Sequence, residues 1–365
     1  MADEPVMIDT PWRRDPADVA EQLSAWARAT VGPDAFVTDV AMPEGNGMSS
    51  ETVLFTLHRD GGAARQVARL APLPGVFPVF PEYDLSLQAR CMRLVAEATD
   101  VPVPAVPWYE DDPQWLGSPF LVMSRVDGRV PPDVPPYVFG GWVCDLTPGE
   151  REQLETSTMS VLARLHRIRP ETHDLSFLAR PEHGASALDQ QLGHQRAYYE
   201  WAREGQRYPL IERTFAWLDE HRPDEGQPVL NWGDARIGNM LFDGLEPVAV
   251  LDWEMATVGP KEIDLAWAIF LHRFFDDLAE RFGMAPMPDL MVRERAIATY
   301  ERLSGEPVRA LEWFEVFAAL RFAIVSVRTT ARGVAYGQAE PPEDPDDVIM
   351  FRGLQEQMLA GTYWT

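Results

Sequence analysis

The sequence contains little of what marks several large classes of protein. It has two cysteines, Cys91 and Cys144, so a disulfide framework and a CxxC metal pair are both excluded. No apolar run approaches the ~20 residues of a membrane-spanning helix, and the first residues lack the apolar segment of a signal peptide. We therefore expect a cytoplasmic protein with reduced thiols and no membrane anchor.

Positive charge is also scarce. Aspartate and glutamate number 57 against 32 lysines and arginines, and the formal net charge is −25. This balance argues against nucleic acid and against anionic membrane surfaces as partners. Lys261 is the only lysine, which removes any mechanism that needs a lysine elsewhere in the chain.

The pattern of elements changes along the chain. Asp15 can cap an amphipathic helix, and three β-type segments follow up to Leu70, the first two separated by a glycine- and serine-rich turn. A helix over 84–98 and a short strand at 120–123 come next. Beyond the glycine and prolines of residues 128–136 the pattern is mainly helical, with predicted helices over 150–167, 187–201, 211–220, 289–303 and 308–332, and a solvated acidic loop over 337–348.

The informative stretch runs from Pro228 to Trp267. A short apolar run precedes a polar loop with Asp234 and, five residues later, Asn239; two strands joined by an Asp-Gly turn then lead to Asp252. Because the hairpin folds back, we expect Asn239 and Asp252 to lie side by side and to share a hard cation such as Mg²⁺. Asp234, one loop away, can orient or deprotonate an attacking hydroxyl.

This stretch resembles the aminoglycoside phosphotransferase superfamily of kinase-like enzymes. The motifs are GDARIGNMLF and VAVLDWEMATVGPKEIDLAW, and they are most similar to the kinase domain of acyl-CoA dehydrogenase family members. The resemblance implies an α+β, bilobal protein-kinase-like fold, with a small β-rich N-terminal lobe (1–126) and a larger, mostly helical C-terminal lobe (127–365). It also implies ATP and Mg²⁺ as cofactors, Asp234 as the base, Asn239 and Asp252 as metal ligands, and Asp264 as a brace for the catalytic loop.

The same resemblance assigns nucleotide-binding positions in the N-terminal lobe. GNGMSS corresponds to the loop whose backbone N–H groups cradle phosphates, Met123 lines the adenine pocket, and the backbone of Ser124 and Val126 meets the adenine edge. The phosphate-loop residues assigned are Gly45, Gly47, Ser49 and Ser50. A plain turn and a plain core methionine remain the alternatives.

The chain departs from the family pattern in three places. Trp232 replaces the catalytic-loop histidine, and Arg69 occupies the position of the phosphate-binding lysine, for which it is not an equivalent donor. In the family a glutamate pairs with that lysine, and this chain has Gln88 at the corresponding position. In another register, Glu82, Asp84 or Glu97 would take that place. His166, in LARLHRI, is expected to be structural.

Three functions stay open at this point. The first is a small-molecule kinase that moves the γ-phosphate of ATP to a hydroxyl; the second is a catalytically impaired ligand-binding relative; the third is a kinase of peptides, which the short segment after Asp252 disfavours. The acidic composition favours a cationic acceptor, whereas the resemblance to acyl-CoA dehydrogenase family members favours a hydroxyacyl compound. Neither observation identifies the acceptor. Asp276, Trp313 and Phe317 are candidates for a pocket, although ordinary helix faces explain each of them better.

Overall fold

The computed structural model describes residues 14–43 and 50–364, and these form two compact units. The first unit consists of the described residues up to Pro78 together with Val106–Arg125; the second consists of Val79–Ala105 and the chain from Val126 onward. The division into lobes of residues 1–126 and 127–365 stays a prediction. It differs from these units in that residues 79–105 group with the second unit.

The first unit is a helix packed on an antiparallel sheet. The strand order is β1-β2-β3-β5-β4, and neighbouring strands pair in antiparallel register throughout. The elements are α1 (Pro16–Thr30), β1 (Phe36–Ala41), β2 (Glu51–Arg59), β3 (Gly62–Leu70), β4 (Trp108–Glu110) and β5 (Phe120–Ser124).

The core of this unit follows directly from its sequence periodicity. Alternate residues of β2 are buried, as expected for a strand with one face on a core. Helix α1 starts at the Asp15 cap, whose carboxylate accepts the backbone N–H of Ala17 at 2.7 Å. It buries Trp26, whose ring meets Trp108 and Phe120 edge-on. Burial of each such side chain contributes roughly 1.5–3 kcal/mol.

The second unit is mostly helical and carries two short antiparallel sheets. One sheet pairs β6 with β9, and the other is the hairpin β7–β8. Its elements among the described residues are α2 (Leu85–Ala98), α3 (Pro148–Leu165), α4 (Ala187–Ala202), α5 (Pro209–Glu220), β6 (Pro228–Asn231), β7 (Met240–Asp243), β8 (Glu246–Val250), β9 (Thr257–Pro260), α6 (Glu262–Arg281), α7 (Arg293–Ser304), α8 (Leu311–Ala335) and α9 (Arg352–Leu359).

Two features correct the sequence interpretation. Helix α6 was not predicted because it is buried almost all round, so it lacks the polar face that reveals a helix by its periodicity. The acidic segment 337–348 is not wholly solvated: Asp346 is buried and its carboxylate accepts the backbone N–H of Leu210 at 3.0 Å.

Neither cysteine is in a disulfide. Within the described ranges, none of the helices is both long and apolar enough to cross a membrane.

Candidate active site

The buried carboxylate of Asp264, near the start of α6, holds the loop that follows β6. Its Oδ2 accepts the backbone N–H of Trp232 at 2.7 Å, and its Oδ1 accepts that of Gly233 at 2.8 Å. The residue is fully buried, so these charge-assisted hydrogen bonds offset the cost of removing its charge from water. The side chain of Asp264 on α6 therefore fixes the loop conformation, as the family resemblance implied.

His166 completes the surroundings of this carboxylate. Its Nε2 lies 3.1 Å from Oδ2 of Asp264, and its Nδ1 lies 2.8 Å from the hydroxyl of Tyr300. With a hydrogen on Nε2 the imidazole donates to Asp264, and its Nδ1 lies within hydrogen-bond distance of the tyrosine hydroxyl. His166 is buried at the end of α3 and is structural, as expected.

Trp232 occupies the position that a histidine has in the family motif. Its indole is fully buried. Its Nε1 donates to the carbonyl oxygens of Leu251 and Asp252, at 2.8 and 3.1 Å. The indole thus ties the catalytic loop to the segment that carries Asp252. A large ring replaces the histidine here because its N–H still reaches backbone carbonyls.

At Gly233 the loop passes close to the segment that follows Asp252. The φ of Gly233 is +92°, and a Cβ on this residue would overlap the backbone carbonyl of Met255. Both the left-handed conformation and the lack of space require glycine. This close approach packs the loop that holds Asp234 against the segment following Asp252.

Asp234 accepts hydrogen bonds from three side chains. Its Oδ1 accepts from the indole Nε1 of Trp267 at 2.6 Å, and its Oδ2 accepts from Nδ2 of Asn239 at 2.7 Å. The guanidinium Nε of Arg236 lies 3.0 and 3.1 Å from the two oxygens. The carboxylate therefore has one well-defined orientation, and its side chain remains 14% exposed.

Arg236 links Asp234 to a second carboxylate. Its Nη1 forms a short ion pair with Asp133, on the segment that precedes α3. Burial works against the charge of this guanidinium, but the fields of Asp234 and Asp133 outweigh it and raise the pKa of Arg236. The arginine therefore stays charged and adds a third hydrogen-bonding partner to Asp234, beside Trp267 and Asn239.

The hairpin β7–β8 brings Asn239 and Asp252 to one place. The backbone carbonyl of Asn239 accepts the N–H of Leu251 at 2.9 Å, and Asp252 is the next residue. Asp252 has φ +59°, a left-handed conformation in which L residues are uncommon. With its amide nitrogen donating to Asp234, Asn239 keeps its amide oxygen for another partner.

Asn239 and Asp252 offer only two side chains as ligands for a metal ion. Over residues 14–43 and 50–364, no group of three or more histidine, cysteine, aspartate or glutamate side chains is arranged to hold a metal ion. One carboxylate and one amide oxygen are the kind of set that Mg²⁺ uses when phosphate oxygens and water supply the other ligands. The residues present therefore fit a nucleotide-bound magnesium ion better than an all-protein metal site.

Of the predicted nucleotide-binding positions that the structure describes, Arg69, Met123, Ser124 and Ser50 lie on the first unit, and Val126 lies where the chain re-enters the second. Arg69 lies on β3, opposite Leu121 of β5, and its Nη1 is 3.5 Å from Oγ1 of Thr52. Met123 and Ser124 end β5, and Met123 is buried. Ser50 is buried just before β2. Gly45, Gly47 and Ser49 lie outside the described residues.

Sequence reasoning missed three residues of the site. Arg236 has a local signal, because it is the only cation in the loop between Asp234 and Asn239. Trp267 stands one helical turn after Asp264, which places it on the same face of α6. Arg321 is a lone charge within the apolar run of α8, and its Nη2 donates to the carbonyl of Gly233 at 2.8 Å.

The three residues named as pocket candidates have structural roles instead. The carboxylate of Asp276 accepts the N–H of Met287 at 2.7 Å, and Nε1 of Trp313 donates to the carbonyl of Leu218 at 2.9 Å. Phe317 is buried and stacks on Trp313. Ordinary helix packing accounts for all three.

A loop held by a buried aspartate, followed by a hairpin with an amide and a carboxylate at its open end, is the arrangement of a kinase-like phosphotransferase. The chain belongs to the phosphotransferase enzyme family, whose model matches residues 43–317.

Relatives and solved structures agree with this assignment. The chain is 31% identical over 214 residues to human acyl-CoA dehydrogenase family member 11, which covers 58% of this chain and 26% of that protein. Across curated relatives the match spans only 16–35% of the relative's own length.

Two solved structures share the fold. A candidate aminoglycoside phosphotransferase from Ralstonia eutropha JMP134 has a TM-score of 0.64 at 22% identity, over 94% of this chain and 98% of that one. The ADP-bound aminoglycoside phosphotransferase APH(2'')-Ib has a TM-score of 0.56 at 15% identity, over 93% and 99%. The predicted α+β kinase-like fold is confirmed.

The packing at Gly233 generates the first prediction. Gly233→Ala should abolish most activity and lower the melting temperature, because the added methyl displaces Met255 and with it the segment beside Asp234. Gly244→Ala is the matched control: Gly244 also has a positive φ (+59°), but no atom lies within 4 Å of its Cβ position. It should cost only roughly 1–2 kcal/mol of backbone strain and keep its activity. Equal effects of the two substitutions would show that the close approach at Gly233 has no importance.

Proposed function

We propose that this protein is an ATP-dependent phosphotransferase that moves the γ-phosphate to a hydroxyl group of a small molecule. The observation that carries the proposal is the fixed carboxylate of Asp234, held by Trp267, Asn239 and Arg236 beside the hairpin end where Asn239 and Asp252 meet. Adenine nucleotide use is supported by the ADP in the solved neighbour. A cytoplasmic location remains a prediction from the sequence.

Asp234 would act as the base. As the hydroxyl oxygen of the acceptor forms its bond to the γ-phosphorus, the bond from that phosphorus to the bridging oxygen of ADP breaks, and the hydroxyl proton passes to Asp234. Both oxygens of Asp234 already accept hydrogen bonds, so its orientation is set before the acceptor arrives. Such preorganisation lowers the entropic cost of aligning the reacting groups.

Asn239 and Asp252 would hold Mg²⁺ through the amide oxygen and the carboxylate. When bound, the ion supplies charge that stabilises the phosphate oxygens. Arg69 would contact the phosphates in place of lysine, with Met123, Ser124 and Val126 at the adenine and the segment from Gly45 to Ser50 over the phosphates. These assignments rest on the family resemblance.

The segment after Asp252 supports a small acceptor and an enzyme that needs no activating phosphorylation. Residues 257–260 form strand β9 against β6, so little chain remains for a peptide platform. Thr257, the only hydroxyl residue there, is buried and its Oγ1 accepts from Nε2 of Gln191. A buried hydroxyl is not accessible to a kinase.

Asp234→Asn tests the base. It should lower kcat by about 10²–10⁴-fold, the usual contribution of general-base catalysis, while Mg-ATP binding and the fold are largely retained. Asp243→Asn, in the exposed turn of the same hairpin, is the control and should leave kcat unchanged. If Asp234→Asn keeps most of its turnover, the residue has no part in proton transfer.

The metal assignment predicts an order of effects. Asp252→Ala should raise the Mg²⁺ concentration required for half-maximal activity more than Asn239→Ala does, because a carboxylate brings a full charge and an amide only a dipole. Asn239→Ala should also lower kcat at saturating Mg²⁺, since it removes a donor to Asp234. Titration of Mg²⁺ in both variants checks this, and the reverse order would contradict the assignment.

Arg69→Ala should raise the KM for ATP and leave the KM for the acceptor unchanged, because it removes the cation that β3 offers to the phosphates. Arg65→Ala, on the exposed part of the same strand, is the control. Steady-state kinetics with each substrate varied in turn separates the two constants. An unchanged KM for ATP in Arg69→Ala would contradict the role of Arg69. Absence of nucleotide binding in the wild type would instead favour the impaired ligand-binding alternative.

A further inference from the structure

One nitrogen of the Arg236 guanidinium is not used by the protein. Its Nε lies 3.0 and 3.1 Å from the two oxygens of Asp234, and its Nη1 is paired with Asp133. Its Nη2 makes no hydrogen bond within residues 14–43 and 50–364, and the protein does not enclose it. Because the side chain of Arg236 is 22% exposed, this nitrogen can donate to a ligand.

The free nitrogen lies beside the carboxylate of Asp234. Nη2 and Nε are bonded to the same guanidinium carbon, and Nε is within hydrogen-bond distance of both oxygens of Asp234. Asp234 is itself partly exposed. A hydroxyl that gives its proton to Asp234 therefore has its oxygen close to Nη2 of Arg236, and the phosphorus to which that oxygen bonds is only one bond further away.

Asp133 holds the guanidinium from a distant part of the chain, 103 residues before Arg236. The ion pair packs against the backbone of Gly238. A Cβ on Gly238 would lie 2.5 Å from Nη1 of Arg236 and 2.5 Å from Oδ1 of Asp133. The loop between Asp234 and Asn239 thus closes directly onto this ion pair, which limits the positions that the guanidinium can take.

Arg236 is the only cation among the described residues whose side chain bonds to Asp234. Arg321 also lies near, but its side chain is buried and its Nη2 donates to the carbonyl of Gly233. Arg321 is therefore closed off from a substrate. The fields of Asp234 and Asp133 raise the pKa of Arg236 despite its burial, so a permanent positive charge faces the ligand.

We propose, on the basis of the proposed function, that Arg236 is a catalytic residue whose Nη2 binds the phosphoryl group in transfer, and that Asp133 positions it through Nη1. In the transition state the negative charge is spread over the three equatorial oxygens of the phosphorus. A guanidinium suits phosphate oxygens in charge and geometry. Because two carboxylates already fix this guanidinium, it meets the developing charge without reorganisation.

The assignment leaves the balance of the reaction as it stands. The bond from the acceptor oxygen to the γ-phosphorus forms, the bond from that phosphorus to the bridging oxygen of ADP breaks, and the hydroxyl proton passes to Asp234. Arg236 keeps its charge throughout and exchanges no proton. Its Nε stays on Asp234 and its Nη1 on Asp133, so only the free nitrogen changes partner.

Binding of Mg-ADP with and without fluoroaluminate, a mimic of the phosphoryl group in transfer, tests the assignment without catalysis. Dissociation constants for the full chain are measured by isothermal titration calorimetry. Fluoroaluminate should tighten the binding of Mg-ADP to the wild type. Arg236→Gln should bind Mg-ADP with fluoroaluminate about 10²-fold more weakly than the wild type, the usual cost of losing one fixed donor to a developing oxyanion, and should bind Mg-ADP alone as the wild type does.

Two further variants separate the donor from its anchor. Asp133→Asn keeps the donor and removes the charge that holds it, so the preference for fluoroaluminate should fall about tenfold, the equivalent of one charge-assisted hydrogen bond. Arg236→Lys keeps the charge but has no planar fork to meet three partners. Its preference should lie between those of the wild type and Arg236→Gln.

The ion pair of Arg151 and Asp289 provides the matched control. It also joins distant segments of the second unit, and its side chains are 17% and 32% exposed, against 22% and 34% for Arg236 and Asp133. Arg151→Gln and Asp289→Asn should leave the preference for fluoroaluminate unchanged. A loss of this preference in the control variants as large as in Arg236→Gln would show a general effect on the fold and overturn the assignment.

Three other results would contradict the inference. A wild type that binds Mg-ADP no more tightly with fluoroaluminate has no such donor at the phosphoryl position. An Arg236→Gln variant with the wild-type preference, or with equal losses for both ligands, would remove Arg236 from the phosphoryl group. An unchanged preference in Asp133→Asn would remove Asp133 as its anchor. If Arg236→Gln fails to fold, as judged by circular dichroism, Arg236→Lys and Asp133→Asn decide by the same criteria.

Slow hydrolysis of Mg-ATP, with water as the probe acceptor, distinguishes failure of this inference from failure of the proposed function. Arg236→Gln should lower kcat about 10²-fold and leave the KM for ATP unchanged, the pattern of an interaction made only in the transition state. A wild type that neither binds Mg-ADP nor hydrolyses Mg-ATP would refute the proposed function and the inference with it. A wild type that hydrolyses Mg-ATP, with an equal kcat in Arg236→Gln, keeps the proposed function and loses the inference.

Discussion

The active-site arrangement depends on one buried carboxylate. Asp264 would be destabilising alone in the interior, and it is stable there because two consecutive backbone N–H groups and His166 donate to it. The same bonds hold the turn at Trp232 and Gly233 in a conformation that the backbone would not adopt unaided. The direction of Asp234 is a consequence of that turn. Loss of Asp264 would therefore disturb the position of Asp234 without removing Asp234 itself.

The indoles of Trp232 and Trp267 connect the turn held by Asp264 to the residues around it. One indole ties the loop to the carbonyls of Leu251 and Asp252, and the other donates to Asp234 itself. Both N–H groups are directed to a fixed acceptor, as buried indoles require. The second ring also stacks under the guanidinium of Arg321. Asp234, the end of the hairpin and Arg321 are thus connected through these two indoles and the loop.

The charge of this unit differs from the charge of the whole chain. The net charge of −25 is a property of the sequence, and it describes the solvated surface more than any cavity. At the loop, the half-buried Arg236 lies beside carboxylates, and the buried Arg321 donates to a backbone carbonyl. Burial lowers the pKa of Arg321 to about 10 against the fields of Asp264 and Asp234, so it remains a cation at neutral pH.

The sequence by itself determined most of the strands and helices and the hairpin that joins Asn239 to Asp252, because turn chemistry and strand alternation are local properties. The brace at Asp264 was implied by the family resemblance. The all-round burial of α6 hid that helix, since periodicity needs a polar face. Only the tertiary structure decided that Asp133, from a distant segment, pairs with Arg236, and that Arg321 from α8 reaches Gly233. Those contacts join residues that are far apart in the chain, and no spacing rule encodes which of many arginines and aspartates will meet in a packed interior.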